Sequence, residues 1–255
     1  MNRNEKIIRD YFRNKERMAE LISYGLYRGK EVIRPESLIR IDGKYGSKTT
    51  IGEKLERDAF FFCMEDLVKY GLEVEQYHDF ITPIRIMQFD SYEYRKEYLE
   101  MKKENEKQNA LLNIIPESKS GMRRDNKMTP VITIVLYLGE GHFRAPILLK
   151  DCMVKAGTKY LNRYRMIQNY SVPVIEAEYI NPSYYRTDLN LLFLAIKYRK
   201  DKEKLRNLFL QDSFQILSPE AQRMISISLK IEELENKVIE EGKNLCQAFL
   251  EIAEE

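Results

Sequence analysis

Two apolar runs of strand length lie within residues 59–74, separated only by a short acidic turn. Asp58 precedes the first run, Glu73 lies near the end of the second, and Glu75 directly follows it. Because side chains two residues apart in a strand share one face, Glu73 and Glu75 are predicted to point the same way and Gln76 the other way. The pattern predicts two adjacent strands that bring acidic side chains together.

Three carboxylates at adjacent strands repel one another unless a cation lies between them. Oxygen ligands alone favour Mg²⁺ or Mn²⁺ over zinc. Such a site is the minimal chemistry of a metal-dependent phosphodiester hydrolase. The alternative is that these acids are solvated at strand ends, and the spacing leaves both interpretations open.

Helical and strand patterns alternate around these runs. Residues 5–28 are helical in pattern, and Thr82 with Pro83 marks the start of a second, long helix. Steps of three and four predict one buried face on this helix, made of Ile84, Met87, Ser91, Tyr94, Tyr98 and Met101.

The most strand-like run is residues 129–139, which are nearly all apolar and β-branched, as in a strand covered on both faces. A helical crossover from the second acidic run implies that the two strands pair in parallel. A short helix near residues 148–153 and a strand at residues 172–180 follow. The order predicts an α/β sandwich.

The chain is helical in pattern from Tyr184 to its end, which suggests a division into residues 1–183 and 184–255. Apolar residues at alternating steps of three and four form a seam: Met224, Ile227, Ile231, Leu234, Val238, Leu245, Ala248 and Ile252. This seam is typical of a coiled coil or helical hairpin that would support a homodimer, and equally of helices packed on their own domain.

Composition excludes several classes of protein. A net charge of +2 does not by itself indicate nucleic acid, and no apolar run is long enough to cross a membrane, so a cytoplasmic protein is expected. Cys63, Cys152 and Cys246 lie far apart and are expected to be reduced. Two histidines are too few for a histidine-based metal centre.

Two further residues are candidates for the site. Glu20 lies within an apolar helical stretch, where it is either a further acid of the site or simply the edge of the apolar face. Arg85 follows Gln76 by nine residues and is expected to lie near the predicted carboxylates. There it would hold a phosphate or form an ordinary salt bridge with Asp79 or Asp90.

Five segments in the same order resemble the recombination-promoting nuclease and transposase-like family of the PD-(D/E)XK superfamily. They are the opening MAELISYGLYRGKEVIRPESL, Arg57-Asp58, the helix pattern at Pro83, Arg85, Met87, Asp90 and Tyr94, the PVIT strand from Pro130, and the RTDL segment Arg186–Leu189 with Phe193 and Ile196-Lys197-Tyr198. The resemblance covers roughly residues 16–205.

The resemblance implies a restriction-endonuclease-like mixed sheet flanked by helices, with a mostly helical C-terminal region, and a Mg²⁺- or Mn²⁺-dependent DNA endonuclease. It implies that Asp58 and Glu73 bind metal, with Glu20 as a further acid, that Glu75 or Gln76 orients water, and that Arg85 steadies the phosphate. The sequence departs from the family where E-x-Q is common, because Glu75 stands at the Gln position and Gln76 comes one residue late. A strand bulge could still bring Gln76 to the site.

Asp90, Tyr94 and the pair Arg186 and Asp188 are expected to be structural, in a buried helix face and an ion pair. Two other functions stay open. One is a degenerate family member that binds DNA or protein without cutting, which the E-x-E departure favours. The other is an assembly protein built on the C-terminal helix.

Overall fold

The computed structural model describes residues 3–45, 55–112, 115–116, 118–154 and 165–254. Its strands are β1 (Leu38–Arg40), β2 (Lys44–Tyr45), β3 (Leu55–Glu56), β4 (Ala59–Cys63), β5 (Val68–Glu75), β6 (Val131–Tyr137) and β7 (Val174–Glu176). Its α-helices are α1 (Arg3–Tyr11), α2 (Lys15–Glu20), α3 (Thr82–Leu112), α4 (Leu189–Tyr198), α5 (Lys202–Phe209), α6 (Asp212–Gln215), α7 (Pro219–Leu229), α8 (Glu232–Ile239) and α9 (Leu245–Glu254).

Five strands form one mixed sheet in the order β1-β4-β5-β6-β7. The three N-terminal strands of this sheet pair antiparallel, whereas β5–β6 and β6–β7 are parallel. The long helix α3 makes the crossover from β5 to β6, because parallel neighbours cannot be joined by a tight turn. The two apolar runs, their antiparallel partnership and the parallel strand after the helix confirm the predicted α/β arrangement.

The two faces of β5 have different surroundings. Tyr70 and Leu72 are buried in the main hydrophobic core, which the N-terminal helices and the C-terminal helices share. On the other face Lys69, Glu73 and Glu75 alternate with the core residues and lie on the side where α3 packs. The sheet is therefore apolar on one side and largely polar beneath α3.

The predicted buried face of α3 is wrong. Ile84 and Met87 are 41% and 37% exposed, while a different set is buried: Thr82, Pro83, Ile86, Phe89, Asp90, Glu93, Glu97 and Asn105. This buried row contains three acids, because the residues beneath them include the basic side chains of Arg57 and Lys69. Ile86 and Phe89 of the same row pack instead on Val135 and Val172. Complementary charge orients this helix as much as apolar burial does.

The C-terminal seam is divided among α7, α8 and α9 instead of continuing along one helix. Lys230 adopts a left-handed conformation with φ 58° between α7 and α8, and Gly242 has φ 70° between α8 and α9. All eight seam residues belong to or pack against the main core of the same chain. The alternative of helices packed on their own domain is therefore confirmed, and a homodimer, which stays a prediction, would need another surface.

Two predictions from composition are consistent with the described residues. No helix among them is both long and apolar enough to cross a membrane. Cys63, Cys152 and Cys246 are free thiols, the first and last buried and Cys152 partly exposed.

Candidate active site

Asp58 and Glu73 lie opposite each other where the start of β4 pairs with the C-terminal part of β5. The antiparallel register pairs Ala59 with Leu72, so the residue before Ala59 stands opposite the residue after Leu72. The Val74 backbone N–H donates to Asp58 Oδ2 at 2.8 Å and holds the aspartate against β5. The prediction that these acids lie on adjacent strands is confirmed.

Beneath α3, Lys69, Glu73 and Glu75 form a row of charged side chains along β5. The residues at both ends of this row form ion pairs with the helix. Lys69 Nζ lies 2.7 Å from Glu93 Oε1 and 2.8 Å from Glu97 Oε2 of the helix. At the other end, the Arg85 guanidinium of the helix binds the Glu75 carboxylate. Glu73 lies between these two pairs.

Arg57 and Asp90 make a third pair, which is fully buried between β4 and α3. Arg57 Nη2 donates to Asp90 Oδ1 at 2.6 Å, and the two side chains are 0% and 4% exposed. Thr133 Oγ1 donates to the same Asp90 oxygen at 2.7 Å, and the Tyr170 hydroxyl donates to the other. Asp90 is therefore structural, as predicted, because its carboxylate joins four segments of the fold.

Glu73 has no such partner. It is 7% exposed, and its Oε1 atom is buried without a hydrogen-bond partner among the described residues. Burial, followed by the charge of Asp58, raises the pKa of Glu73 to about 8. Burial also raises the pKa of Asp58 to about 6, although the Val74 N–H and Arg9 act in the opposite direction.

Glu75 and Gln76 are not brought to the paired acids. Glu75 is held by Arg85, which also lies 3.3 Å from Asp79 through Nη1. Gln76 points to the opposite side of the sheet, where its Nε2 donates to the Ile227 carbonyl at 3.4 Å. The prediction that Gln76 faces away is confirmed. The structure does not bring it to the acids, because β5 pairs regularly with β6 and has no bulge to turn it.

Arg85 forms the predicted salt bridge with Asp79 and an additional one with Glu75, whereas Asp90 pairs with Arg57 instead. Its side chain is 30% exposed. The guanidinium thus lies at the accessible end of the polar row. Glu75 is a weaker candidate than Asp58 and Glu73 for an acid of the site, because this arginine already neutralises its charge.

Glu20 is also not brought to the paired acids. Its carboxylate accepts hydrogen bonds from the backbone N–H groups of Arg186 and Thr187, at 2.9 and 3.1 Å, and from the Thr187 hydroxyl at 2.6 Å. These bonds attach α2 to the segment before α4, so the structure does not bring Glu20 to the predicted metal site. The predicted Arg186–Asp188 pair is replaced by Arg17–Asp188 at 2.6 Å, because Arg186 is exposed and directed away.

Two facing carboxylates with raised pKa values suit a hard divalent cation. Mg²⁺ is commonly held by one or two carboxylates together with water and phosphate oxygens. The unpartnered Oε1 of Glu73 and the nearby Asp58 supply such a donor set. Within the described ranges, no group of three or more acidic, histidine or cysteine side chains is arranged to hold a metal ion, so the predicted convergence of three carboxylates is wrong.

The fold and site define a mixed α/β protein with a buried pair of carboxylates on adjacent strands. Comparisons with protein-family models, with curated proteins and with solved structures found no match to this chain.

Proposed function

We propose that this protein is a metal-dependent DNA endonuclease of the recombination-promoting, transposase-like type, with a restriction-endonuclease-like core. The observation that carries the proposal is the state of Glu73, which is buried beside Asp58 and whose Oε1 atom has no hydrogen-bond partner among the described residues, while its neighbours on the same face form ion pairs. Burying an uncompensated carboxylate is costly, and a bound cation would remove that cost.

Asp58 and Glu73 would hold the Mg²⁺ or Mn²⁺ ion. When bound, such an ion lowers the pKa of a water ligand and neutralises charge that develops on a phosphate. The Val74 N–H binds Oδ2 of Asp58, and the other oxygen, Oδ1, lies 3.9 Å from Arg9 Nε. The position of both acids on neighbouring paired strands keeps their separation nearly constant.

Arg85 would bind the scissile phosphate. Its guanidinium is partly exposed, and its charge is close enough to lower the pKa of both Asp58 and Glu73. Glu75 would act as a positioning residue that holds Arg85 by its carboxylate. This gives Glu75 a function different from the water-orienting role that the family pattern implies.

A degenerate, non-cutting DNA- or protein-binding member is the second candidate. It is favoured because, among the described residues, no amide or lysine is brought beside Glu73: Glu75 occupies the family's Gln position and Gln76 lies on the other face. The third candidate, an assembly protein built on the C-terminal helix, is disfavoured because the seam is buried in its own core.

Plasmid cleavage with Mg²⁺ or Mn²⁺ tests the proposal in wild type, Asp58→Ala and Glu73→Ala. Glu100→Ala is the matched control, because Glu100 is an exposed acid of α3. Cutting that only the first two substitutions abolish, with all variants folded by circular dichroism, supports the nuclease. Cutting that survives both substitutions overturns the site, and DNA binding without cutting in either metal favours the second candidate.

A further inference from the structure

A cleft of about 330 Å³ opens beside Asp58 on the N-terminal side of the sheet. It lies between α1, the end of β1 and the start of β4, and four arginines line it. Arg57 is already paired with Asp90, and the other three are Arg9, Arg13 and Arg40. These residues come from separate segments of the chain, so the fold assembles the cleft. We call it the arginine cleft.

The three arginines differ in how far their charge is compensated. Arg9 Nη1 lies 2.6 Å from Glu56 and its Nε lies 3.9 Å from Asp58, so this side chain connects the cleft with the paired acids. Arg13 is 57% exposed, and its one ion pair within the described ranges is with Asp10, at 3.0 Å on the same surface. Such an exposed pair is weak and easily exchanged for another anion.

Arg40 is the least compensated of the three. In the part of the chain that the structure describes, no salt bridge reaches its guanidinium. Partial burial, followed by the charge of Arg13, lowers the pKa of Arg40, so the two guanidinium groups are close enough to repel each other. An anion between them would relieve that repulsion.

The acidic residues of the cleft control its net charge and therefore whether an anion can bind. Asp42, Glu56 and Asp58 also line it, and they balance Arg9, Arg13 and Arg40 while no cation is present, because the charge of Arg57 is balanced by Asp90. A divalent cation on Asp58 would leave the cleft net positive. The forked guanidinium group binds phosphate through two parallel hydrogen bonds, so the matching ligand chemistry is a phosphate group.

We propose that Arg13 and Arg40 bind a backbone phosphate of nucleic acid adjacent to the phosphate held at Asp58 and Glu73. This inference rests on the proposed function for the cation at Asp58. It adds a substrate contact that the resemblance did not supply. The contact would position the nucleic-acid chain along β1 and α1, so that it fixes which bond lies at the acids.

Anisotropy of a short labelled DNA duplex tests the inference, with Ca²⁺ replacing Mg²⁺ and a gel confirming that the duplex stays intact. We expect Arg13→Gln and Arg40→Gln each to weaken binding roughly tenfold. Each should also reduce the slope of log K against log salt by about 0.9, because one phosphate contact is lost. Arg206→Gln is the matched control, since Arg206 is an exposed arginine of α5 that does not line the cleft.

An unchanged salt slope in both variants, or an equal loss in the control, would overturn the inference. Inorganic phosphate is the second probe. Saturable competition with the duplex that disappears in Arg40→Gln supports the inference, whereas phosphate binding that depends on Arg40 and leaves duplex binding unchanged would assign the cleft to free phosphate and also overturn it. The proposed function fails separately. Arginine-dependent binding without cutting in Mg²⁺ or Mn²⁺ would refute the nuclease alone, and cutting with arginine-independent binding would refute only this inference.

Discussion

Replacing Glu73 with glutamine should stabilise the metal-free protein, and the gain should grow with pH. The pKa of Glu73 rises from its ordinary value of 4.5 to about 8 in the folded chain. The folded state therefore keeps a proton that the unfolded state loses. This contribution to stability is fully present below pH 4.5, and it is lost as the pH rises through 8.

The size of the effect follows from that shift. Each pH unit between the two pKa values lowers the free energy of unfolding of the wild type by about 1.4 kcal/mol. The loss therefore reaches about 3 kcal/mol near pH 7 and has a ceiling of about 5 kcal/mol above pH 8. Glutamine has nearly the shape of the protonated acid and cannot ionise. Glu73→Gln should thus be close to wild type in stability at about pH 4.5 and clearly more stable at about pH 7.

Urea unfolding followed by circular dichroism in EDTA measures this difference, and the absence of tryptophan rules out the usual fluorescence probe. Glu75→Gln is the matched control, because Glu75 is paired with Arg85 and should give no such increase with pH. Mg²⁺ at a hundredfold excess over Kd should stabilise wild type by about 2.7 kcal/mol and leave Glu73→Gln unchanged. A variant that is less stable than wild type near pH 7, by an amount independent of pH, would refute the reasoning.

Three other substitutions test the surrounding structure. Arg57→Met leaves Asp90 as an uncompensated buried charge and should lower the free energy of unfolding by about 3–5 kcal/mol; a loss below 1 kcal/mol in urea titration would contradict this. Gly71→Ala would place a methyl group 2.4 Å from the Arg57 guanidinium, and we expect a loss of about 1–3 kcal/mol, whereas an unchanged Tm would show that the arginine can move freely. Glu20→Gln should cost about 1–2 kcal/mol through its bonds to residues 186–187 while leaving the Mg²⁺-induced Tm increase intact; loss of that increase would return Glu20 to the site.

The sequence predicted the elements that hold the site. The apolar runs before and after the acidic turn became β4 and β5, and Thr82 with Pro83 begins α3 as expected. The β-branched run pairs in parallel with β5 because the connection between them is a long helix. Local pattern and chain connectivity are enough for these features, since each depends on neighbouring residues or on crossover geometry.

The sequence did not predict which side of α3 is buried. Apolar periodicity selected Ile84 and Met87, but the sheet beneath the helix carries Lys69 and Arg57, and these select acids at Asp90 and Glu93 instead. Such matching depends on residues far apart in the chain, and spacing alone cannot show it. The charged motif residues Arg57, Asp58 and Asp90 were the signal in the sequence for these ion pairs, because a charged residue in apolar surroundings needs a partner.

The ion pairs between β5 and α3 also determine how the helix can be placed along the sheet. Apolar side chains tolerate sliding, because one methyl group replaces another at similar energy. Here Arg57 and Glu75 each require a particular helix residue, and a shift of α3 by one turn, about 5.4 Å, would break both of these pairs. Lys69, which binds Glu93 and Glu97 one turn apart, would keep only one of its two partners. The helix therefore has a single permitted axial position, and Arg85 keeps a constant offset from Glu73 through thermal motion that leaves the pairs intact.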